Sequence, residues 1–324
     1  MKAMVYTEYG PPEVLRFEEV EKPAAKEDEV LVRVSAASVN YPDWSLLRGD
    51  PFLIRLMTGG LLRPKNTILG ADIAGRVEAV GRNVTQFQPG DEVFGDISAC
   101  GFGGFAEYVA VPEGALAPKP ANVTFEQAAA VPMSAVVALQ GLRDEGQIQL
   151  GQKVLINGAS GGIGTFAVQI AKSFGADVTG VCSTRNLEMV RSIGADRVID
   201  YTREDFAQDG QRYDLIVATA GYRSIFDYSR ALSSNGVYVA TGGSLAQVFQ
   251  PMLFGPFISM TGSKKIGNLS AQPDQGDLVF VKDLIEAGKV VPVVDRCYPL
   301  DEVAEALRYY GQGRSRGKVV ISYS

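Results

Sequence analysis

The chain has 324 residues, 46% of them hydrophobic and 21% charged, the balance of a folded globular protein long enough for one large domain or two ordinary ones. Its net charge of −6 gives no electrostatic reason to expect a nucleic acid or an anionic membrane as partner. There is no histidine at all, so general-base, proton-shuttle and metal-ligand roles pass to other residue types.

Cys100, Cys182 and Cys297 are odd in number and far apart, which suits a reducing compartment better than a disulfide framework. Met1 runs directly into a strand-like alternation. The longest apolar stretch, residues 128–139, is interrupted by Pro132 and too short to span a bilayer. The expected location is the cytoplasm, with no membrane partner.

Residues 1 to about 120 read as short strands between Gly and Pro turns, clearest over 30–34, 74–80, 92–94 and 105–111. That texture suggests a barrel-like or sandwich unit. It changes near Pro118-Lys119-Pro120. A helix is then predicted from Thr124, with Gln127 completing a capping-box pattern. Strands over 154–156, 178–182, 197–200, 215–219, 237–241 and 265–269 alternate with helices, the pattern of a parallel sheet wound on both faces. After Pro273 the pattern predicts an amphipathic helix (Leu278, Val281, Leu284, Ile285), a strand over 290–294, a helix from Asp301 and a closing strand over 318–322.

Residues 153–164, Lys-Val-Leu-Ile-Asn-Gly-Ala-Ser-Gly-Gly-Ile-Gly, carry the most chemistry. An apolar strand enters a turn of small residues, and a helix follows. This places a pyrophosphate against backbone N–H groups at a helix N-terminus. Ser160, Gly161, Gly162 and Ile163 are therefore candidate dinucleotide contacts. Gly161 would let the pyrophosphate approach the backbone, and Gly164 would let the helix pack on the strand. About 20 residues on, an NAD site offers an acid to the ribose. Here that place reads Cys182-Ser183-Thr184-Arg185-Asn186, without one. Ser183 and Arg185 suit a 2′-phosphate, which favours NADP. A Tyr-x-x-x-Lys pair, which short-chain dehydrogenases combine with a similar loop, is absent.

In the N-terminal half, Gly70-Ala71-Asp72-Ile73-Ala74-Gly75-Arg76-Val77-Glu78-Ala79-Val80-Gly81 leads through Pro89-Gly90-Asp91-Glu92-Val93 to Gly104-Phe105-Ala106-Glu107-Tyr108. In this order and spacing the motifs resemble the medium-chain dehydrogenase/reductase superfamily nearly end to end. The resemblance implies an α/β protein with a doubly wound Rossmann sheet, residues 122–273, inserted in a GroES-like β-rich catalytic domain, residues 1–121 plus 274–324. Zinc alcohol dehydrogenases carry Gly-His-Glu where this chain has Gly70-Ala71-Asp72, and often a four-cysteine cluster where it has only Cys100. What remains resembles the zinc-independent quinone oxidoreductase branch, with no metal site.

That branch has an Asn-x-x-Asp motif beside the nicotinamide, matched by Asn40-Tyr41-Pro42-Asp43. The resemblance makes Asn40 the candidate for orienting the nicotinamide end or a substrate carbonyl, with Asp43 in support. Tyr41 is a candidate proton donor beside water. Tyr201 and Gly242, at the ends of the third and fifth Rossmann strands, are further cofactor candidates. The implied function is NADPH-dependent reduction of quinones or activated C=C bonds by metal-free hydride transfer, in a homodimer acting on a small molecule. A nicotinamide-dependent alcohol or aldehyde dehydrogenase, or a non-catalytic nucleotide-binding protein, are the alternatives. Two apolar segments, residues 51–62 and 249–260, are open as pocket lids, dimer interface or core.

Overall fold

The expected change of texture along the chain is present in its computed structural model, which describes residues 1–57, 60–220, 223–243, 247, 249–255 and 263–323. The chain divides into two units: residues 1–133, 273–283 and 292–324 form one, and 134–272 with 284–291 the other.

The first unit opens with β1 (Lys2–Val5) paired antiparallel to β2 (Arg16–Glu19). Its central strand is β3 (Glu29–Ser38), whose Val30, Val32 and Val34 carry the stiff branched side chains that pack on a pleated face. Two helices follow, α1 (Tyr41–Arg48) and α2 (Leu53–Met57), then β4 (Asp72–Val80), β5 (Glu92–Asp96), β6 (Tyr108–Pro112) and β7 (Ala117–Pro118). β4 pairs antiparallel along most of β3, and β5 pairs with β4. β6 takes only residues 29–33 of β3. This frees Ala36, Ala37 and Ser38 for a strand from the far end of the chain. Helix α3 (Phe125–Ala129) has the expected cap: Gln127 N–H donates to Thr124 Oγ1 at 3.3 Å, and Thr124 N–H to Gln127 Oε1 at 3.1 Å. Helix α4 (Pro132–Gln140) begins with proline at its first position, where no intrahelical N–H is needed.

The second unit is a six-stranded parallel sheet. Its strands are β8 (Lys153–Asn157), β9 (Asp177–Cys182), β10 (Arg197–Asp200), β11 (Tyr213–Ala218), β12 (Leu232–Ala240) and β13 (Lys265–Asn268), in the order β10-β9-β8-β11-β12-β13. Helices α5 (Gly162–Ser173), α6 (Leu187–Ser192) and α7 (Ile225–Ala231) lie between them in sequence. The order reverses between β8 and β11, and open α/β sheets bind ligands beyond the strand ends at such a switch point. A buried layer of Leu155, Val181, Ile199, Ile216, Tyr228 and Tyr238 holds the sheet to its cover.

The chain then gives a helix over Gln275–Glu286, strand β14 (Val294–Pro299), a helix over Val303–Gly311 and β15 (Lys318–Ser322). β15 pairs antiparallel with the free end of β3 and parallel with β14. Leu300, Val303, Ala306 and Leu307 join the buried cluster of β3 and β4.

Two details differ from the sequence reading. Residues 290–293 are not a strand, because Gln169 takes up this backbone: Val291 N–H donates to its Oε1 at 2.8 Å, and its Nε2 donates to Val291 O at 3.0 Å. The same clasp places residues 284–291 with the second unit. The first boundary falls at Met133 instead of Ala121, since α3 packs on β3, β4 and β15.

The glycine turn separates a demand of the fold from one of a ligand. A Cβ on Gly164 would sit 2.0 Å from Gly158 O and 2.8 Å from Ala159 Cα, both backbone atoms that cannot yield cheaply. Among the described residues, a Cβ on Gly161 would meet only Gly158 O, at an ordinary 3.6 Å. Gly164→Ala is therefore expected to cost about 1–3 kcal/mol, read as a lower Tm, whereas Gly161→Ala leaves Tm close to wild type.

Candidate functional site

In the second unit, β8 ends at Asn157 and residues 158–161 turn the chain into α5, for which Gly161 is the N-cap. Thr219, just past β11, ties the turn down: its hydroxyl donates to Asn157 O at 3.1 Å and Gly158 O at 3.2 Å. Asn157 Nδ2 donates to the buried Tyr228 hydroxyl at 2.6 Å. A helix start leaves its first N–H groups without intrahelical partners, and those of Gly162 and Ile163 are in that position. The space beyond Gly161 is open enough for a phosphate to reach this backbone. Gly242 follows β12 as expected, at the same carboxyl edge of the sheet.

Ser160 and Ser183 are brought together by a residue that sequence reasoning passed over. Asn186 Nδ2 donates to Ser160 Oγ at 2.9 Å and to Ser183 Oγ at 3.3 Å. Asn186 is only 3% exposed, and its Oδ1 is buried with no hydrogen-bond partner among the described residues. An orphaned buried acceptor beside the glycine turn is what a bound polar ligand would satisfy. Arg185 lies exposed next to it, and Tyr201, past β10, is 55% exposed. The carboxylate nearest in sequence to Tyr201, Asp200, is engaged: Thr184 Oγ1 donates to it at 2.5 Å and Thr202 Oγ1 at 2.7 Å. These hydrogen bonds hold its carboxyl below the usual range. The open Gly161 and the orphaned Asn186 oxygen, an acceptor that a ligand hydroxyl or N–H would satisfy, together fit a bound dinucleotide.

In the first unit the Asn40–Asp43 motif starts a helix. Asn40 is the N-cap of α1, and its backbone N–H donates to Asp43 Oδ2 at 2.8 Å. Gly70 N–H donates to Asp43 Oδ1 at 2.9 Å. Burial pushes the fully enclosed Asp43 carboxyl up to about 7, against the pull of these two N–H groups. Tyr41 is 53% exposed.

The Asn40 side chain belongs to a buried network centred on Asp72, at the start of β4. Asp72 Oδ2 accepts from Asn40 Nδ2 at 2.9 Å, Ser38 Oγ at 3.1 Å and Lys318 Nζ at 3.3 Å; Oδ1 accepts from Met133 N–H at 3.0 Å. Lys318 Nζ also donates to Asn40 Oδ1. Asp72 is 0% exposed and Lys318 3%. Asp96, opposite Asp72 across β4 and β5, is pushed up to about 6 by burial and by the Asp72 charge. Sequence reading treated Asp72 only as a departure from Gly-His-Glu and did not single out Lys318. The available signal was a charged residue at the first position of each of two strands, directly followed by apolar residues, Asp72-Ile73-Ala74 and Lys318-Val319-Val320.

Among the two apolar segments, Phe52, Leu53, Leu56, Leu61, Leu62, Phe249, Met252 and Leu253 are exposed, so these side chains are not core. Residues 58, 59 and 256–260 lie outside the described residues.

The family profile described as "Alcohol dehydrogenase GroES-like domain" matches residues 26–121, and "Zinc-binding dehydrogenase" matches 193–321. A zinc site does not fit this chain's donors. Histidine is absent, Asp72 already has a full set of donors, and among the described residues no group of three or more His, Cys, Asp or Glu is placed to hold a metal ion. The chain is 35% identical to the 2-methylene-furan-3-one reductase of Solanum lycopersicum, over 99% of its own length and 79% of the relative's. It is also 35% identical, with the same coverage, to the chloroplastic NADPH-dependent alkenal/one oxidoreductase of Arabidopsis thaliana. The solved quinone oxidoreductase from Coxiella burnetii superposes with a TM-score of 0.87 at 27% identity, covering 99% of each chain. With a GroES-like unit interrupted by a parallel nucleotide-binding sheet, and relatives alike over nearly its whole length, the chain belongs to the medium-chain dehydrogenase/reductase superfamily, in its quinone oxidoreductase-like branch.

Proposed function

We propose that the protein is an NADPH-dependent reductase of quinones or of C=C bonds conjugated to a carbonyl, such as enones and alkenals, acting without zinc. The observation that carries this reading is the likeness to a 2-methylene-furan-3-one reductase and an NADPH-dependent alkenal/one oxidoreductase along 99% of the chain. The Asp72 cluster agrees with it. Alcohol oxidation needs help in removing a hydroxyl proton, which a metal supplies in many enzymes. Hydride addition to a conjugated acceptor spreads its negative charge onto oxygen, where a few hydrogen bonds suffice.

Bound NADPH supplies the hydride; the protein binds, orients and keeps water away. Asn40 has both Nδ2 hydrogens engaged, by Asp72 and by Ser38 O at 3.3 Å. Its Oδ1 accepts from Lys318 Nζ and, in the capping box of α1, from the Asp43 backbone N–H. Asn40 is the proposed residue for orienting the nicotinamide end or a substrate carbonyl. Asp43 fixes the turn that presents it. Tyr41 and water remain the proton sources for the second half of the reduction.

The preference for NADPH rests on Ser183 and Arg185 at the end of β9, on the engagement of Asp200, and on the alkenal/one relative. The proposal includes a homodimer in a reducing compartment, the cytoplasm by default; Cys100, Cys182 and Cys297 are free thiols.

Three outcomes are expected. An enone or quinone oxidises NADPH at the same rate with and without a chelator, while simple alcohols do not reduce NADP⁺; turnover of alcohols alone favours the dehydrogenase alternative. Arg185→Ala raises KM for NADPH roughly 10-fold or more, as for a charged hydrogen bond of about 1.5–3 kcal/mol, and leaves KM for NADH unchanged. A wild-type preference for NADH with no response to this substitution contradicts the NADP assignment. Gly161→Ala weakens NADPH binding at least about 10-fold by crowding the phosphate with an unchanged Tm, and unaltered affinity contradicts the placement of the pyrophosphate.

A further inference from the structure

Ser160 stands in the turn between β8 and α5, and Ser183 directly follows β9; one enclosed side chain ties them together. Asn186 Nδ2 donates to Ser160 Oγ at 2.9 Å and to Ser183 Oγ at 3.3 Å. An amide nitrogen does not accept, so both serine oxygens are the acceptors and their own O–H groups must point elsewhere. Among the described residues neither serine hydrogen has an acceptor, and both serines are half-buried where Asn186 is closed off.

The neighbouring polar side chains do not take these hydrogens. Thr184 Oγ1 donates to Asp200 Oδ2 at 2.5 Å, and Asp200 Oδ1 accepts from the Thr202 hydroxyl at 2.7 Å and the Thr202 N–H at 3.0 Å. Asp200 is thereby filled and does not compete for the serines. Two hydroxyls bonded to one nitrogen are close enough to grip a single phosphoryl group, and Arg185 belongs to the same turn. The enclosed Asn186 Oδ1, unmatched among the described residues, is a second sign that the arrangement is completed from outside the chain.

We propose that Asn186 is a positioning residue that turns the Ser160 and Ser183 hydroxyls outward as paired donors for one phosphoryl group, the 2′-phosphate of NADP. The proposal rests on the NADPH reading above. It assigns part of the choice between NADP and NAD to the direction of two neutral hydroxyls, set by a third side chain, beside the charge of Arg185.

Calorimetric Kd values for NADP⁺ and NAD⁺ test this without turnover. Wild type is expected to bind NADP⁺ roughly 10-fold or more tightly than NAD⁺. Asn186→Ala removes both N–H donors and spares the start of α6, where the Asn186 side chain makes no cap hydrogen bond. With Tm close to wild type, the preference is expected to fall roughly 3-fold or more through weaker NADP⁺ binding alone. In a Ser160→Ala/Ser183→Ala background the preference is already reduced, and adding Asn186→Ala is expected to change it no further, because the three side chains act as one unit.

An unchanged preference in the folded single variant overturns the proposal, and so does an equal fall in both backgrounds. Equal weakening of NADP⁺ and NAD⁺ also overturns it, since the serines would then serve a part common to both nucleotides. Each of these results leaves the NADPH reading standing. Wild type without a preference for NADP⁺ overturns that reading and the proposal together. If Asn186→Ala does not fold, Asn186→Asp takes its place in the same cycle; it keeps the shape, and Asp serves as well as Asn at a helix start. Its carboxylate accepts from the serine hydroxyls and turns them inward. The preference is then expected to fall further with the serines present than without them, and an equal fall overturns the proposal.

Discussion

One buried carboxylate organises the first unit. Asp72 is closed off from solvent and accepts from an asparagine amide, a serine hydroxyl, a lysine ammonium and a helix N–H. A charge in that position is tolerable only when its lone pairs are met, and breaking such a set by removing one partner costs roughly 3–5 kcal/mol. The donors come from β3, from the N-cap of α1, from α4 and from β15 near the far end of the chain. That requirement explains why β6 stops at residue 33 of β3. The rest of β3 must remain free for β15, which delivers Lys318 to the same place.

The second unit depends on close backbone approach instead of charge. Gly164 is required because Gly158 O lies where a side chain would go. Gly161 has no such steric reason. A glycine that the fold does not need, beside an asparagine with an orphaned buried oxygen, points to a molecule outside the chain. In this way the fold distinguishes residues kept for shape from residues kept for a ligand, although both belong to one short motif.

Much of this was legible beforehand, for physical reasons. The β8-turn-α5 segment was readable because hydrophobic periodicity and glycine spacing are local signals, and so was the Thr124–Gln127 cap. The Asp72–Lys318 pair was not, because its members are 246 positions apart and only the pairing of β15 with β3 and of β3 with β4 brings them together. Asn186 was hidden for a similar reason: its hydrogen bond to Ser160 spans two neighbouring strand ends. The strand expected over 290–294 failed because alternation cannot reveal that a glutamine side chain will take the backbone hydrogen bonds first. Asn40 was found through its motif, but the direction of its amide needed the coordinates of its neighbours.

With a conjugated carbonyl as acceptor, the proposed reduction delivers hydride to its β-carbon and a proton to the adjacent carbon. The most direct measurement uses NADPH dideuterated at the nicotinamide C4 with an enone acceptor, and locates the label in the product by NMR. The predicted result is a saturated ketone with deuterium on its β-carbon. An allylic alcohol with deuterium on the carbinol carbon would contradict the account, since it would show hydride delivered to the carbonyl itself.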